Sequence, residues 1–282
     1  MVWVTGAGGF IGSHVVRTAP SHESNWRILA WTREQLDLTD GPAVQRVFTA
    51  ERPSAIVHCA ALSRAAACQE APGHAERLNV EVTRRLCDLA SEADIPLLFL
   101  STDIVFDGRK GSYAESDPVN PLSVYGETKA RAEIQVLKHP RHAVVRLALT
   151  AGVSPSGDRS FSEELRRKWA RGETVRLFRD EFRSPLPAPV VARALWEVLL
   201  AGYSGLFHLG GSEKLSRWEI GQLVANRWQV PMKLLEAGSC REYDGPPRPA
   251  DTSLDCGRLQ ALLSFPLPGL GQWTRQHPDE PL

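Results

Sequence analysis

Neither sign of charge is in surplus in this sequence, because 33 Lys and Arg are matched by 33 Asp and Glu. Without a net field the chain has no electrostatic reason to seek nucleic acid or an anionic membrane. Cysteine is scarce as well: Cys59, Cys68, Cys87, Cys240 and Cys256 form an odd set with no CxxC pair. Such a set argues against a disulfide frame or a zinc site and predicts free thiols in a reducing compartment. No apolar run approaches the roughly 18 residues needed to span a bilayer. A signal peptide has no room, since a functional turn begins at Gly6, so the expected location is the cytoplasm. Repeats and low-complexity tracts are missing. No metal site is expected either; the HxxH spacing of His139 and His142 flanks Pro140 and reads as a surface loop. What remains is ordinary globular composition, 43% apolar and 23% charged over 282 residues, enough for a large core.

The first half alternates short apolar runs with helical periodicity. Strands are predicted near Val2–Thr5, Arg27–Thr32, Ala55–Ala61, Pro96–Thr102 and Ala143–Leu149. They are apolar nearly throughout, as strands buried on both faces of a parallel sheet should be. Between them Leu78, Val82, Leu86, Leu89 and Ala93 recur at three- and four-residue steps, marking one amphipathic helix. A second helix is predicted over about Ser123–Leu137. The fold class is therefore α/β, a doubly wound parallel sheet of Rossmann type. From residue 151 the pattern loosens into helices near Phe161–Arg171, Val190–Ala201 and Ser216–Trp228, separated by Ser184–Pro189 and Gly245–Pro249. Residues 1–150 are expected to form the dinucleotide-binding domain. Residues 151–282 are expected to form a smaller substrate lobe, interleaved with the end of the sheet.

Val2–Thr5 leads into Gly6-Ala-Gly-Gly9-Phe10-Ile11-Gly12, a GxxGxxG turn that opens a helix. Glycines there permit the tight bend, the approach of a pyrophosphate and close packing of helix on strand. The anion then rests on free N–H groups at the positive end of the helix. An NAD site places an acid roughly 20 residues further on, against the ribose 2′-hydroxyl. Here that position holds Trp31-Thr32-Arg33, with no acid before Glu34. A guanidinium suits a 2′-phosphate, so NADP(H) is favoured, with NAD(H) the alternative. In the following Leu36-Asp37-Leu38-Thr39-Asp40, an acid stands near the adenine amino group, or Thr39 or Asp40 caps the next helix.

Tyr125-Gly-Glu-Thr-Lys129 sets a phenol and an ammonium four residues apart, on one helix face. A fixed cation favours phenolate, bringing tyrosine toward the range useful for general acid–base work. Thr102 ends the fourth strand at the carboxyl edge of the sheet, where open α/β folds bind ligands. Its hydroxyl is placed to hold a substrate oxygen against the phenol. Ser101 and Thr102 face opposite ways, so one of the two points into the site.

These strings resemble the extended short-chain dehydrogenase/reductases, most strongly the dTDP-4-dehydrorhamnose reductase branch. The resemblance is carried by Gly6/Gly9/Gly12, His58-Cys-Ala-Ala61, Ser101-Thr-Asp-Ile-Val-Phe-Asp-Gly108 and Tyr125-Gly-Glu-Thr-Lys129. Phe182-Arg-Ser-Pro185 and Arg248-Pro-Ala-Asp-Thr-Ser-Leu-Asp255 extend it into the second half. It implies Tyr125 as proton donor, Lys129 as its modulator and a ribose ligand, and Thr102 as the group that orients the carbonyl. Hydride would pass to C4 of a nucleotide-linked 4-keto-6-deoxysugar. Ala60 and Ala61 would line the cofactor channel, and Asp37 and Leu38 would flank the adenine. Arg183 and Arg248, in loops like the family's, are the better candidates for the substrate diphosphate. A homodimer is an expectation of the resemblance alone. Three stretches depart from the branch: Ser63–Gln69 lacks its two acids, Ile104 replaces a tyrosine, and Leu147-Ala-Leu149 replaces Thr-Ser-Trp. The cofactor half therefore matches while the sugar-facing half is altered. Two alternatives follow. One is an NAD-dependent nucleotide-sugar epimerase or dehydratase, with Glu115 and Asp117 as extra acid–base groups. The other is a nucleotide-binding regulatory subunit, because His58–Ala61 and Ser253–Arg258 also resemble the β subunit of methionine adenosyltransferase.

Overall fold

A computed structural model describes residues 1–19, 27–245 and 247–282. The five apolar runs become parallel strands: β1 (Val2–Thr5), β2 (Ile28–Trp31), β3 (Ala55–His58), β4 (Leu97–Thr102) and β5 (Ala143–Leu147). A sixth strand, Gly205–Leu209, comes from the second half and pairs in parallel with β5. The sheet order is Gly205–Leu209, β5, β4, β3, β1, β2, with every neighbouring pair parallel.

Alternation along the strands divides the core into two layers. Val2, Val4, Val57, Leu98 and Val145 face one side, where they meet Val15 and the helix Ala188–Leu200. Trp3, Ile56, Leu97, Phe99 and Val144 face the other. There they pack against three helices: α2 (Gly41–Glu51), α5 (Val82–Glu92) and α6 (Val124–Val136). Helix α1 (Phe10–Arg17) lies in the first layer, tied to Ala188–Leu200 by a 2.9 Å bond from Trp196 Nε1 to the Val15 carbonyl. Helices on both faces of a parallel sheet make the fold doubly wound, of Rossmann type.

Some boundaries move for local reasons. Strand β3 ends at His58, three residues early, because Cys59–Ala61 turn across the glycine loop, with Cys59 N bonded to Thr5 O at 3.3 Å. Strand β5 stops at Leu147, and Thr150–Ala151 pairs separately with Leu186–Pro187. The helix predicted over Leu78–Ala93 belongs to a longer run. It follows α3 (Ala65–Glu70) and α4 (Pro72–Glu76), and a π-turn at Arg77–Glu81 joins α4 to α5. Asp40 caps α2 by accepting from Ala43 N at 2.9 Å, and Ser123 caps α6 by accepting from Gly126 N at 3.2 Å.

A third core lies within the second half. Leu165, Trp169, Leu177, Ile220, Val224 and Trp273 close the helices Phe161–Ala170, Arg217–Arg227 and Leu270–Gln276 against the strands Val175–Phe178 and Leu235–Gly238. The join predicted at Gly245–Pro249 includes Pro246, which lies outside the described residues. His142 corrects the surface-loop expectation: it is fully buried and accepts from Leu97 N at 3.3 Å, and burial pushes its pKa down to about 4. The five cysteines are unpaired. Among the described residues no helix is long and apolar enough to cross a membrane, and no three His, Cys, Asp or Glu are grouped for a metal ion.

Candidate active site

The carboxyl ends of β1, β3 and β4 meet at one rim of the sheet, and the sequence-predicted residues gather there. Gly6 has φ +67°, and a Cβ on it would stand 2.7 Å from the Ala60 backbone nitrogen. A Cβ on Gly12 would overlap the Gly6 carbonyl. The turn, the helix and residues 59–60 are therefore pressed together as only glycine allows. No side chain caps α1, whose N-cap is Gly9, so its leading N–H groups are free for a phosphate. That cradle fits a dinucleotide pyrophosphate. Phe10 begins α1 and lies beside Gly152, while Ile11 packs into the core. Ala60 and Ala61 are half-buried at the same rim.

Past β2, Arg33 is exposed and forms no ion pair among the described residues. Asp37 turns back onto its own loop, accepting from Thr39 N at 2.9 Å and Thr39 Oγ1 at 2.8 Å. Those bonds hold its carboxyl below the usual range. Leu38 is buried, and its carbonyl accepts from Arg85 at 3.0 Å.

A buried hydrogen-bond chain connects this rim to α6. His58 is bonded through Nδ1 to Thr5 Oγ1 at 2.7 Å and through Nε2 to Thr83 Oγ1 at 3.0 Å. Thr83 spends its proton on the Asn79 carbonyl at 2.7 Å. Nε2 must therefore donate and Nδ1 accept, which assigns a neutral tautomer; burial pushes the ring pKa down to about 3. Asn79 accepts from Leu62 N at 2.8 Å and donates to Thr128 Oγ1 at 3.0 Å. Thr128 in turn donates to the Tyr125 carbonyl at 2.9 Å. Asn79 escaped the sequence reading although it sits on the π-turn, an irregularity frequent at functional sites. The signal was present: a polar residue among the apolar steps of an amphipathic helix.

The structure places Thr102 and Tyr125 together. The Thr102 hydroxyl lies beside the Tyr125 phenol and donates to Asp103 Oδ1 at 3.2 Å. Ser101 points elsewhere, donating to Glu133 at 2.5 Å. Glu133 is buried and receives Arg146 Nη2 at 2.7 Å. Burial raises the Tyr125 phenol above its ordinary value; the neighbouring Thr102 hydroxyl opposes this and the Asp103 charge adds to it. The expected lowering by Lys129 is not what the structure shows. Lys129 is 2% exposed, and its ammonium lies over the Phe99 ring, 3.8 Å from the centroid. Burial pushes its pKa down to about 7, opposed by the Glu133 charge.

Gly126 lets α6 press against the Ile104 carbonyl, which a Cβ would overlap. Gly126→Ala is expected to displace Tyr125 and to cost about 1–3 kcal/mol of stability. Thermal melts and turnover numbers check this; wild-type values for both would show the contact to be slack.

Beyond Thr102 the surface becomes ionic. Asp103 accepts from Thr252 Oγ1 at 2.8 Å and lies 3.5 Å from Arg183 Nε. Arg183 is 3% exposed, and its other nitrogens bond the Phe182 carbonyl at 2.6 Å and Glu181 at 3.0 Å. No edge of that guanidinium is left toward solvent. Arg248 bonds Glu181 at 2.7 and 3.0 Å and keeps 34% of its side chain exposed. Glu181 and its third partner, Arg217, carried no motif and were missed in the sequence. Glu115 accepts from His208 N at 3.0 Å, and Asp117 from Lys110 Nζ at 2.5 Å and Ala114 N at 2.8 Å. Both acids proposed for epimerisation thus brace the 110–117 loop.

Known proteins resemble this chain in sequence and fold. Bovine methionine adenosyltransferase 2 subunit beta is 30% identical over 97% of this chain and 84% of its own. A probable low-salt glycan biosynthesis reductase of Haloferax volcanii is also 30% identical, over 95% of this chain and 94% of its own. The dTDP-4-dehydrorhamnose reductase of Bacillus anthracis, solved in complex with NADP, superposes with a TM-score of 0.89 at 21% identity, covering 98% and 97% of the two chains. The RmlD substrate binding domain family matches residues 1–277. The chain belongs to that family, within the extended short-chain dehydrogenase/reductases.

Proposed function

We propose that this protein is an NADP(H)-dependent reductase of a nucleotide-linked 4-keto-6-deoxysugar. Residues 1–150 hold the dinucleotide and residues 151–282 receive the sugar nucleotide. The observation that carries this is the approach of the Thr102 hydroxyl to the Tyr125 phenol, at the carboxyl rim of the sheet where the glycine cradle also lies. A relative of equal identity over most of both chains is named a reductase.

Bound in the cradle, the dinucleotide supplies the hydride. Thr102 orients the substrate carbonyl by donating its hydroxyl proton to the oxygen. Tyr125 then delivers a proton to that oxygen as its negative charge develops. A phenol raised by burial stays protonated at neutral pH, as a donor in the reducing direction must. Asn79, through Thr128, fixes the backbone from which Tyr125 projects. The deciding experiment mixes purified protein with NADPH and nucleotide-linked 4-keto sugars. Failure to oxidise NADPH with any of them removes the proposal.

Arg33 is the group proposed to read the 2′-phosphate. Arg33→Ala should weaken NADPH binding by roughly tenfold or more, the worth of a charge-assisted hydrogen bond, and leave NADH unchanged. Equal losses for both cofactors would show that Arg33 does not discriminate.

A second reading, a regulatory subunit, draws on the bovine β-subunit match over 97% of this chain. It also draws on Leu147-Ala-Leu149, where the family places Thr-Ser-Trp near the sugar. Co-purification with a synthetase and negligible turnover would select it over the reductase.

A further inference from the structure

Three guanidinium groups converge on one carboxylate next to the reacting residues. Glu181 is fully buried and takes Arg217 at 2.9 Å, Arg183 at 3.0 Å and Arg248 at 2.7 Å. Asp103 is the second carboxylate, 3.5 Å from Arg183. Two carboxylates facing three permanent cations leave a positive charge unmatched.

Arg217 expresses the imbalance as a missing bond. Its side chain is 11% exposed and its Nε donates to Glu181, yet its buried Nη1 has no hydrogen-bond partner among the described residues. Buried N–H groups of a guanidinium are costly to leave unmade, and an anionic oxygen is their best acceptor. The Arg217 guanidinium carbon lies 4.5 Å from the centroid of the Phe161 ring, at the start of Phe161–Ala170. The charge therefore sits between Glu181, just before the strand Phe182–Arg183, and a helix of the second half.

We infer that Arg217 is a specificity-determining residue, receiving an oxygen of the substrate's nucleoside diphosphate on its unpartnered Nη1. The inference rests on the nucleotide-sugar reading above, which did not assign this residue. The keto carbon of such a substrate and the carbon bearing the diphosphate lie across the sugar ring from each other. Thr102 and Arg217 belong to one connected cluster, through Asp103, Arg183 and Glu181, so both ends of such a sugar have a partner in it. A diphosphate also presents several charged acceptors to a forked donor.

Calorimetric titration of the whole protein with inorganic pyrophosphate, thymidine diphosphate and uncharged thymidine tests this. The variants are Arg217→Gln and Arg217→Lys; the lysine keeps a cation against Glu181 while removing the guanidinium donors, so it serves if the glutamine variant does not fold. Both diphosphates are expected to bind the variants roughly 10- to 100-fold more weakly than wild type, while NADPH affinity is retained. Wild-type diphosphate affinity in the lysine variant, or no diphosphate binding by the wild type, would overturn the inference. Arg217 would then serve only to neutralise Glu181. Arg217-dependent pyrophosphate binding in a protein that reduces no keto sugar would refute the reductase and leave this inference standing.

Discussion

Tyr125→Phe is expected to lower turnover by roughly 10²- to 10⁴-fold, the usual contribution of one positioned proton donor. Cofactor affinity should not change, because the ring, its packing and the helix carrying it remain. The loss follows from the proposed roles: Thr102 holds the carbonyl oxygen, and the phenol beside it is the proton source. The same chemistry predicts a pH profile. Lys129, brought down to about 7 by burial, loses its ammonium proton as the pH rises through neutrality. Reduction should slow above about pH 7 as the ammonium expected to hold the cofactor ribose loses its proton. Steady-state kinetics across pH 6 to 9 measure both effects. A phenylalanine variant with wild-type turnover would refute the assigned donor, whatever the profile shows.

Glu181→Ala should be the most destabilising single change, costing about 3–5 kcal/mol, because it strands buried cations without their counter-charge. Three arginines lose their shared acceptor at once, and Arg183, at 3% exposure, cannot turn to water instead. A drop of about 10 °C in melting temperature is expected for a chain of this size. The wild type should show the linked acid dependence. Burial alone would raise the Glu181 carboxyl, but the guanidiniums of Arg217, Arg183 and Arg248 prevail and bring it from 4.5 to about 2. A depressed carboxylate stabilises the fold fully above its unfolded value. That contribution is lost as the pH falls from about 4.5 toward about 2. Melting temperature against pH for wild type and Glu181→Gln checks it: the variant's curve should be flatter in that window. Parallel curves would mean that Glu181 contributes nothing to acid sensitivity.

Much of this protein is written locally. Strands β1, β3, β4 and β5 are legible because residues buried on both sheet faces are mostly apolar, and each shows that within four to six residues; β2, half-buried throughout, is apolar all the same. The GxxGxxG turn is legible because only glycine tolerates the contact between Gly12 and the Gly6 carbonyl. Helix starts at Asp40 and Ser123 follow from side chains that reach a backbone N–H three residues on. Tyr125 and Lys129 share a helix face through spacing alone.

Tertiary structure decided what spacing does not carry. Gly205–Leu209 becomes a sheet strand only because β5 offers an edge and the Ala188–Leu200 crossover returns the chain beside it. Lys129 faces Phe99, and its protonation is set by burial that no neighbour in sequence reveals. Asn79 reaches Leu62 and Thr128 across 17 and 49 residues, from a π-turn that its own helix periodicity conceals. The Glu181 cluster draws on residues 103, 181, 183, 217 and 248. Backbone preference and turn chemistry act over a few residues, so the sequence by itself determines them. Charge pairing and desolvation depend on which distant groups share a small volume, and only the folded chain brings those together.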